Sequence, residues 1–121
     1  ETGAKKSKRI ILFMHGTSTY LPNKISFFKR TCSELKSDLI TFAYRGFSQS
    51  DGARACTRGI AKDIKAISKF FSETVESESE NYQVETILWG KSFGCSPAII
   101  AKLAKPDLHQ ILILESPFTS V

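Results

Sequence analysis

Four short apolar runs, each followed by a polar or glycine-bearing segment, constrain the fold of this sequence more than any other feature. Each run has four to six residues, and apolar side chains dominate it instead of occupying every second position. That pattern is typical of strands buried on both faces, as in a parallel sheet. The four predicted strands cover residues 9–14, 39–43, 84–89 and 111–114.

Segments with helical periodicity separate these runs. The first is capped by Asn23 and ends near Ser37, and its apolar stripe consists of Ile25, Phe28, Cys32 and Leu35. The second carries apolar residues at three- and four-residue steps, namely Ile60, Ile64, Ile67, Phe71 and Val75. The third opens at Ser96-Pro97, where proline suits the first turn, and ends at Pro106. Because right-handed crossovers join the strands, we expect an α/β fold with a parallel sheet and helices on both faces.

Length and cysteine content favour a single domain without covalent staples. A chain of 121 residues with 41% hydrophobic residues can bury a core of its own. Three widely spaced cysteines, without a C-x-x-C pair, support neither a disulfide framework nor a structural zinc site. No apolar run approaches the roughly 20 residues that span a bilayer, so we expect no membrane span in this chain.

The basic residues give a net charge of +5, but their distribution does not favour nucleic-acid binding. Several cluster near the start of the chain and the others scatter along polar helix faces without interleaved stacking aromatics. We interpret residues 1–8 as an expression remnant, Glu1-Thr2-Gly3, followed by a solvated basic tail, and residues 9–121 as the domain. A remnant of this kind is used with secretion, so we expect a parent protein in the secretory pathway or outside the cell.

The motif with most chemical content is Gly-Lys-Ser-Phe-Gly at residues 90–94, a match to G-x-S-x-G between a predicted strand and a predicted helix. In such an elbow the serine occupies a strained backbone position, and the flanking glycines let strand and helix approach. The start of the helix directs partial positive charge to the same point, which favours a developing oxyanion. The sequence therefore predicts a nucleophile at Ser92; an idle serine in a tight glycine turn is the structural alternative.

Three further segments of the sequence are informative alongside the Gly-Lys-Ser-Phe-Gly motif. His15-Gly16-Thr17 follows the first strand, residues 42–52 read Phe-Ala-Tyr-Arg-Gly-Phe-Ser-Gln-Ser-Asp-Gly, and residues 115–120 read Glu-Ser-Pro-Phe-Thr-Ser. Together with the elbow they resemble the serine-aminopeptidase and monoacylglycerol-lipase-like branch of the α/β-hydrolase superfamily, with Phe47-Ser48 where Tyr-Gly is usual. The resemblance covers residues 9–121 and implies strands three to six of an eight-stranded sheet, in the order 4-3-5-6.

The resemblance also implies roles for individual residues. Ser92 matches the nucleophile, and the backbone amides of Phe93 and Thr17 match the two oxyanion-hole donors. The residues that would support the elbow and the oxyanion loop are Gly90, Gly94, His15 and Gly16. Glu115 is a possible triad acid, although its segment ordinarily holds loops together. For the remaining polar residues we expect structural roles: Arg45, Asp51 and Lys91 in loops, Cys95 in a small core position, and His109 at the surface or as a cap.

In this family the acid and the histidine of the triad follow later strands, so we expect both to be missing from this chain. The resemblance then implies the central segment of a serine hydrolase of the esterase, lipase or peptidase type, needing no cofactor and no metal. The alternative is a non-catalytic interaction module that has inherited the elbow. In either case the apolar edge strand at residues 111–114 predicts a complementary segment or chain, carrying Asp and His in the first case, or self-association.

Overall fold

Strands and helices alternate along the whole of the described structure, as the sequence predicts. The computed structural model describes residues 5–15, 24–42 and 57–115. Its elements are β1 (Lys6–Met14), α1 (Ile25–Leu35), β2 (Ser37–Thr41), α2 (Thr57–Glu78), β3 (Tyr82–Lys91), a short 3₁₀ helix (Ser92–Gly94), α3 (Cys95–Ala104) and β4 (Ile111–Glu115). None of the helices in these ranges combines the length and the apolar character that crossing a membrane requires.

The described strands form one parallel sheet in the order β2-β1-β3-β4. If β1 is counted as the third strand of a larger sheet, this order is 4-3-5-6, which confirms the prediction. In the register, Met14 pairs with Gly90 and Lys91 pairs with Glu115. The ends of β1, β3 and β4 therefore meet at one edge of the sheet, where the chain leaves β3 for the predicted elbow.

Helices cover both faces of the sheet. On one face α2 and α3 pack against β1 and β3, and the buried core there consists of Ile10, Leu12, Met14, Ile64, Phe71, Leu88, Ala98 and Ala101. On the other face Phe13 lies 5.5 Å from Phe28 of α1 and 4.9 Å from Trp89, measured between ring centroids. Alternate residues of β1 thus belong to different cores, which explains why the whole strand is apolar.

The first strand begins at Lys6, three residues before the predicted start at Arg9. Lys6 pairs with Tyr82 in the register of β1 and β3. The ammonium group of Lys8 lies 2.6 Å from a carboxylate oxygen of Glu78 and 3.2 Å from one of Asp38. These contacts hold a charged strand end in the sheet, so residues 6–8 are not part of a free tail. Residues 1–4 lie outside the described ranges.

The buried stripe of α1 differs from the predicted one. Ile25 and Leu35, both predicted to be buried, are 51% and 42% exposed, whereas Thr31 is buried. The hydroxyl group of Thr31 donates a hydrogen bond to the carbonyl oxygen of Phe27, one turn earlier. Because this bond satisfies the polar group, a threonine can face the sheet, and a pattern that counts threonine as polar misses it. The predicted cap, Asn23, lies outside the described ranges.

The prediction for His109 was wrong, because its side chain is fully buried. The imidazole stacks on the ring of Phe71 in α2, with centroids 5.4 Å apart and planes inclined by 21°. Lys102 donates hydrogen bonds to the carbonyl oxygens of Pro106 and His109, which hold the turn between α3 and β4. Burial, with a smaller contribution from the charge of Lys102, lowers the pKa of His109 to about 4.

Candidate active site

Ser92 lies at the sharp turn between β3 and the helical segment that leads into α3. Its φ is 56°, in the left-handed region that residues with a Cβ rarely adopt. Lys36, which ends α1, is the other non-glycine residue with positive φ in the described ranges. Strain of this kind persists where the surrounding structure enforces it, and such positions cluster at functional sites. The backbone at Ser92 therefore has the conformation that the strand–turn–helix prediction requires.

Two glycines make this turn possible by removing side chains where backbones meet. A Cβ built on Gly90 would lie 2.6 Å from the carbonyl oxygen of Gly94 and 2.8 Å from the Cβ of Ala98. A Cβ on Gly94 would lie 2.0 Å from the carbonyl oxygen of Met14. Neither position has room for a side chain. The glycines on either side of Ser92 thus let α3 pack directly on β3 and on the end of β1.

The end of β1 contacts the elbow from the other side. His15 is fully buried, and its carbonyl oxygen lies 2.7 Å from the position that a Cβ on Gly94 would take. The structure thus places His15 against Gly94, and its supporting role stays a prediction. The other residues of that loop, Gly16 and the predicted oxyanion donor Thr17, lie outside the described ranges. The role of the Phe93 amide as the first donor stays a prediction.

The side chain of Glu115 fixes the end of β4 to the end of β3. One carboxylate oxygen accepts a hydrogen bond from the indole N–H of Trp89, at 3.1 Å. The other lies 3.7 Å from the ammonium nitrogen of Lys91, and both of these side chains are a little over 40% exposed. Glu115 thus makes structural contacts beside the elbow, and so does Lys91. Neither contact assigns the carboxylate a part in proton transfer.

Cys95 occupies the small core position that the sequence predicts. Its thiol is buried and lies 3.3 Å from the carbonyl oxygen of Gly90 and 3.5 Å from that of Glu115. Burial is the main reason that the pKa of this thiol is raised, so it stays protonated and unreactive at neutral pH. Cys95 therefore connects the elbow to β4 without being a nucleophile itself.

The described ranges contain no group of three or more His, Cys, Asp or Glu side chains placed to hold a metal ion. Arg45 and Asp51, for which we predict loop roles, lie outside these ranges. The described part of the site is therefore a strained serine, two glycines without room for a side chain, and the carboxylate of Glu115 at the neighbouring strand end.

Sequence reasoning missed the contact between Trp89 and Glu115 and the aromatic cluster beside the elbow. The ring of Trp89 lies 5.8 Å from that of Phe27 and 4.9 Å from that of Phe13. A usable signal exists for the first contact, because Trp89 ends the predicted strand 84–89 and Glu115 directly follows the predicted strand 111–114. The second could not be read from periodicity, since Phe27 lies outside the predicted stripe of α1.

Four parallel strands in this order, with helices on both faces, define the central portion of an α/β-hydrolase fold. The chain is 27% identical over 129 aligned positions to a zebrafish (Danio rerio) protein named lysophosphatidylserine lipase ABHD12. That alignment covers the whole of this chain and 31% of the relative, so the chain spans about a third of the relative's length. No family model matches the sequence.

Solved structures support the same fold. An extracellular α/β-hydrolase from a Paenibacillus species superimposes with a TM-score of 0.64 at 17% identity, over 93% of this chain and 42% of that one. An uncharacterised protein from Bacillus cereus gives 0.65 at 17% identity, over 97% and 36%. A protein from Xanthomonas campestris assigned to the α/β-hydrolase superfamily gives 0.58 at 18% identity, over 94% and 61%.

Proposed function

We propose that this chain is the nucleophile-bearing segment of a serine hydrolase, with Ser92 as the nucleophile. The observation that carries the proposal is the φ of 56° at Ser92, between a buried strand and the start of a helix. The tight packing at Gly90 and Gly94 supports it, because it enforces a conformation that costs of order 1–3 kcal/mol. Glycine adopts a positive φ without this steric cost, so a residue that only formed the turn would not need to be serine.

The proposed reaction is acyl transfer. The hydroxyl oxygen of Ser92 attacks an ester carbonyl carbon, the bond to the leaving alcohol breaks, and water later releases the acyl group from the serine. The carbonyl oxygen becomes negative in between, and the amides of Phe93 and Thr17 are the proposed donors to it. A base must take the proton from the serine hydroxyl at the first step.

The two histidines of this sequence are poor candidates for that base. His15 is fully buried and belongs to the loop support at the end of β1. His109 precedes β4, whose far end lies beside the elbow, so roughly 13 Å of strand separates them. We therefore propose that the histidine and the acid of the triad come from residues outside these 121. Ser92 in the isolated segment is then expected to be inert or nearly so.

The substrate class that we propose is a lipid ester. The zebrafish relative is named as a lipase for a lysophospholipid, and its likeness to the present chain extends over the elbow. An ester of a fatty acid with a glycerophospholipid head also suits the acyl-transfer chemistry proposed for Ser92. Other esters and amides, which esterases and peptidases of this fold class cleave, are the alternatives that a substrate panel would separate.

Labelling by a fluorophosphonate probe tests the nucleophile directly. The intact protein is expected to react rapidly and stoichiometrically, and Ser92→Ala to lose the label. Ser96→Ala is the matched control, because Ser96 is an exposed serine four residues further along the same helical segment. Equal labelling of Ser92→Ala and the unchanged protein would refute the proposal. Rapid labelling of the isolated 121-residue segment would instead show that a base lies within it.

We also propose that the outer edge of β4 pairs with a complementary segment or chain. Ile111, Ile113 and Leu114 of this strand are each about 40% exposed, and β4 ends the described sheet. An apolar strand edge, here without charges at residues 111–114, favours pairing with another strand. Sedimentation of the isolated segment is expected to show self-association, which Ile113→Lys should weaken. A stable monomer at micromolar concentration would contradict this part of the proposal.

The exposed edge also favours the second candidate, a non-catalytic interaction module. Under that reading the intact protein would pair through β4 and yet give no label at Ser92. The two candidates thus differ in the labelling experiment, whereas sedimentation tests the feature that they share.

A further inference from the structure

A groove lined by lysines lies on the outer side of the helical layer formed by α2 and α3. Its walls are Lys62, Lys65 and Lys69 of α2 and Lys105 just after α3, and Ala66 lies between them. The cavity volume is about 440 Å³, and apolar atoms form most of its surface. We call these residues the lysine groove. Lys105 follows the last residue of α3, whereas Ser92 precedes the first, so about 15 Å of helix separates the groove from the elbow.

The charges in the lysine groove are unbalanced within the described structure. None of its four lysines forms an ion pair with a residue of the described ranges, where ion pairs involve Lys8, Arg9 and Lys91. Lys65 and Lys69 are four residues apart on one helix, a spacing at which like charges destabilise each other. Three acidic residues are close in sequence, namely Asp63 beside Lys62, Glu73 four residues after Lys69 and Asp107 two residues after Lys105, but none of them lines the lysine groove. An anionic partner would relieve this repulsion.

Exposed apolar side chains occur on the same two helices, and Phe70 lines the adjoining groove that shares Ala66 with the lysine groove. Phe70, directly after Lys69, is 54% exposed, and Leu103, two residues before Lys105, is 75% exposed. Lysines beside exposed phenylalanine and leucine side chains are typical of helices that lie in the headgroup region of a membrane. Lysine ammonium groups are mobile point charges, which suits a surface of many phosphates better than one fixed ligand.

We propose that the lysine groove docks this domain on the surface of a bilayer that contains anionic phospholipid. The four lysines contact phosphate and carboxylate groups of the lipid heads, while Phe70 and Leu103 insert beside them. This docking goes beyond the proposed hydrolase activity and does not require Ser92 to be a nucleophile. An acidic protein segment or a nucleic acid would be a different occupant, and the experiment below separates them.

The test uses the intact protein and sedimentation with vesicles of phosphatidylcholine, with and without phosphatidylserine. We expect strong binding to the anionic vesicles, weak binding to the neutral ones, and a loss of binding at high salt. A triple variant, Lys62→Gln, Lys65→Gln and Lys69→Gln, should bind anionic vesicles roughly 100-fold more weakly, since each lysine near such a surface contributes about fivefold. The same three positions changed to arginine should retain binding.

The matched control removes the same charge from the opposite face of the sheet. The control is one triple variant, Lys24→Gln, Lys29→Gln and Lys36→Gln, whose positions lie on α1 or at its ends. It should change binding to anionic vesicles by no more than about fivefold. Equal losses in the two triple variants would overturn the proposal in favour of net charge alone. Binding of polyglutamate or RNA through the lysine groove, without binding of vesicles, would overturn it in favour of an acidic protein or nucleic-acid partner. Labelling at Ser92 is not a readout of this test, so the two proposals fail independently.

Discussion

Gly94 lies directly against the carbonyl group of Met14, at a distance that leaves no room for a side chain. A Cβ on Gly94 would lie 2.0 Å from that oxygen and 2.6 Å from its carbonyl carbon. Both atoms belong to the backbone of a central strand, so they cannot rotate away as the end of a side chain could. This contact fixes the segment after Ser92 against β1 and thereby fixes the elbow.

We expect Gly94→Ala to lower the free energy of unfolding by roughly 3 kcal/mol or more, because either β1 or the elbow must move. Urea unfolding of the variant checks this. Ser96→Ala, also at the start of α3 but exposed, should stay within about 0.5 kcal/mol of the unchanged protein. A Gly94→Ala variant of unchanged stability would show that the elbow is not held by this contact.

The left-handed backbone at Ser92 predicts that the glycine variant is more stable than the alanine variant, the reverse of their usual order in a helix. In that conformation alanine carries a steric cost of about 1–2 kcal/mol that glycine does not. Ser92→Gly is therefore expected to be more stable than Ser92→Ala by about 1 kcal/mol, as measured by thermal unfolding. At Ser96, within α3, the same pair should have the usual order, with alanine more stable by about 1 kcal/mol. The same order at both positions would contradict a strained elbow.

Substitution of Glu115 by glutamine separates its structural contacts from a role as the triad acid. In Glu115→Gln the amide oxygen can still accept the hydrogen bond from Trp89, and the lost pair with Lys91 is largely exposed. Such pairs contribute at most about 1 kcal/mol, so hydrolysis by the intact protein should stay within about fivefold. The measurement is the rate of ester hydrolysis at saturating substrate. A drop of several orders of magnitude would make Glu115 the acid of the triad.

Much of this fold could be predicted because the strands of a parallel sheet are buried on both faces. The residues of β1 that face α2 and those that face α1 are all apolar, so the run stands out without any periodicity. The elbow was predictable for a related reason, since only glycine fits on either side of Ser92. Both features leave a local signature in the sequence, although the contact with Met14 that requires glycine at position 94 comes from a distant strand.

The remaining features depend on contacts between distant residues. Lys8 belongs to β1 because Asp38 and Glu78 meet it from other elements, and no local pattern contains that information. His109 is buried because the turn before β4 places it against Phe71, although one apolar residue, Leu108, and one polar residue, Gln110, flank it in the sequence. Contacts with distant residues, not the local sequence, determine where Lys8 and His109 lie in the structure.

The burial of His109 predicts an acid-sensitive fold. Its pKa is lowered from 6.5 to about 4, by burial first and by the charge of Lys102 second. Between those values the unfolded chain holds a proton at this site more tightly than the folded chain, so the free energy of unfolding falls as the pH decreases. A difference of this size corresponds to roughly 3 kcal/mol, lost between about pH 6.5 and pH 4.

His109→Phe keeps an aromatic ring against Phe71 and removes the titrating group. Urea unfolding across this pH range should therefore show a shallower decline in the variant than in the unchanged protein. The slope is the readout, because a larger ring can alter the absolute stability at every pH. Parallel curves for the two proteins would show that the buried imidazole of His109 does not set the acid sensitivity of this fold.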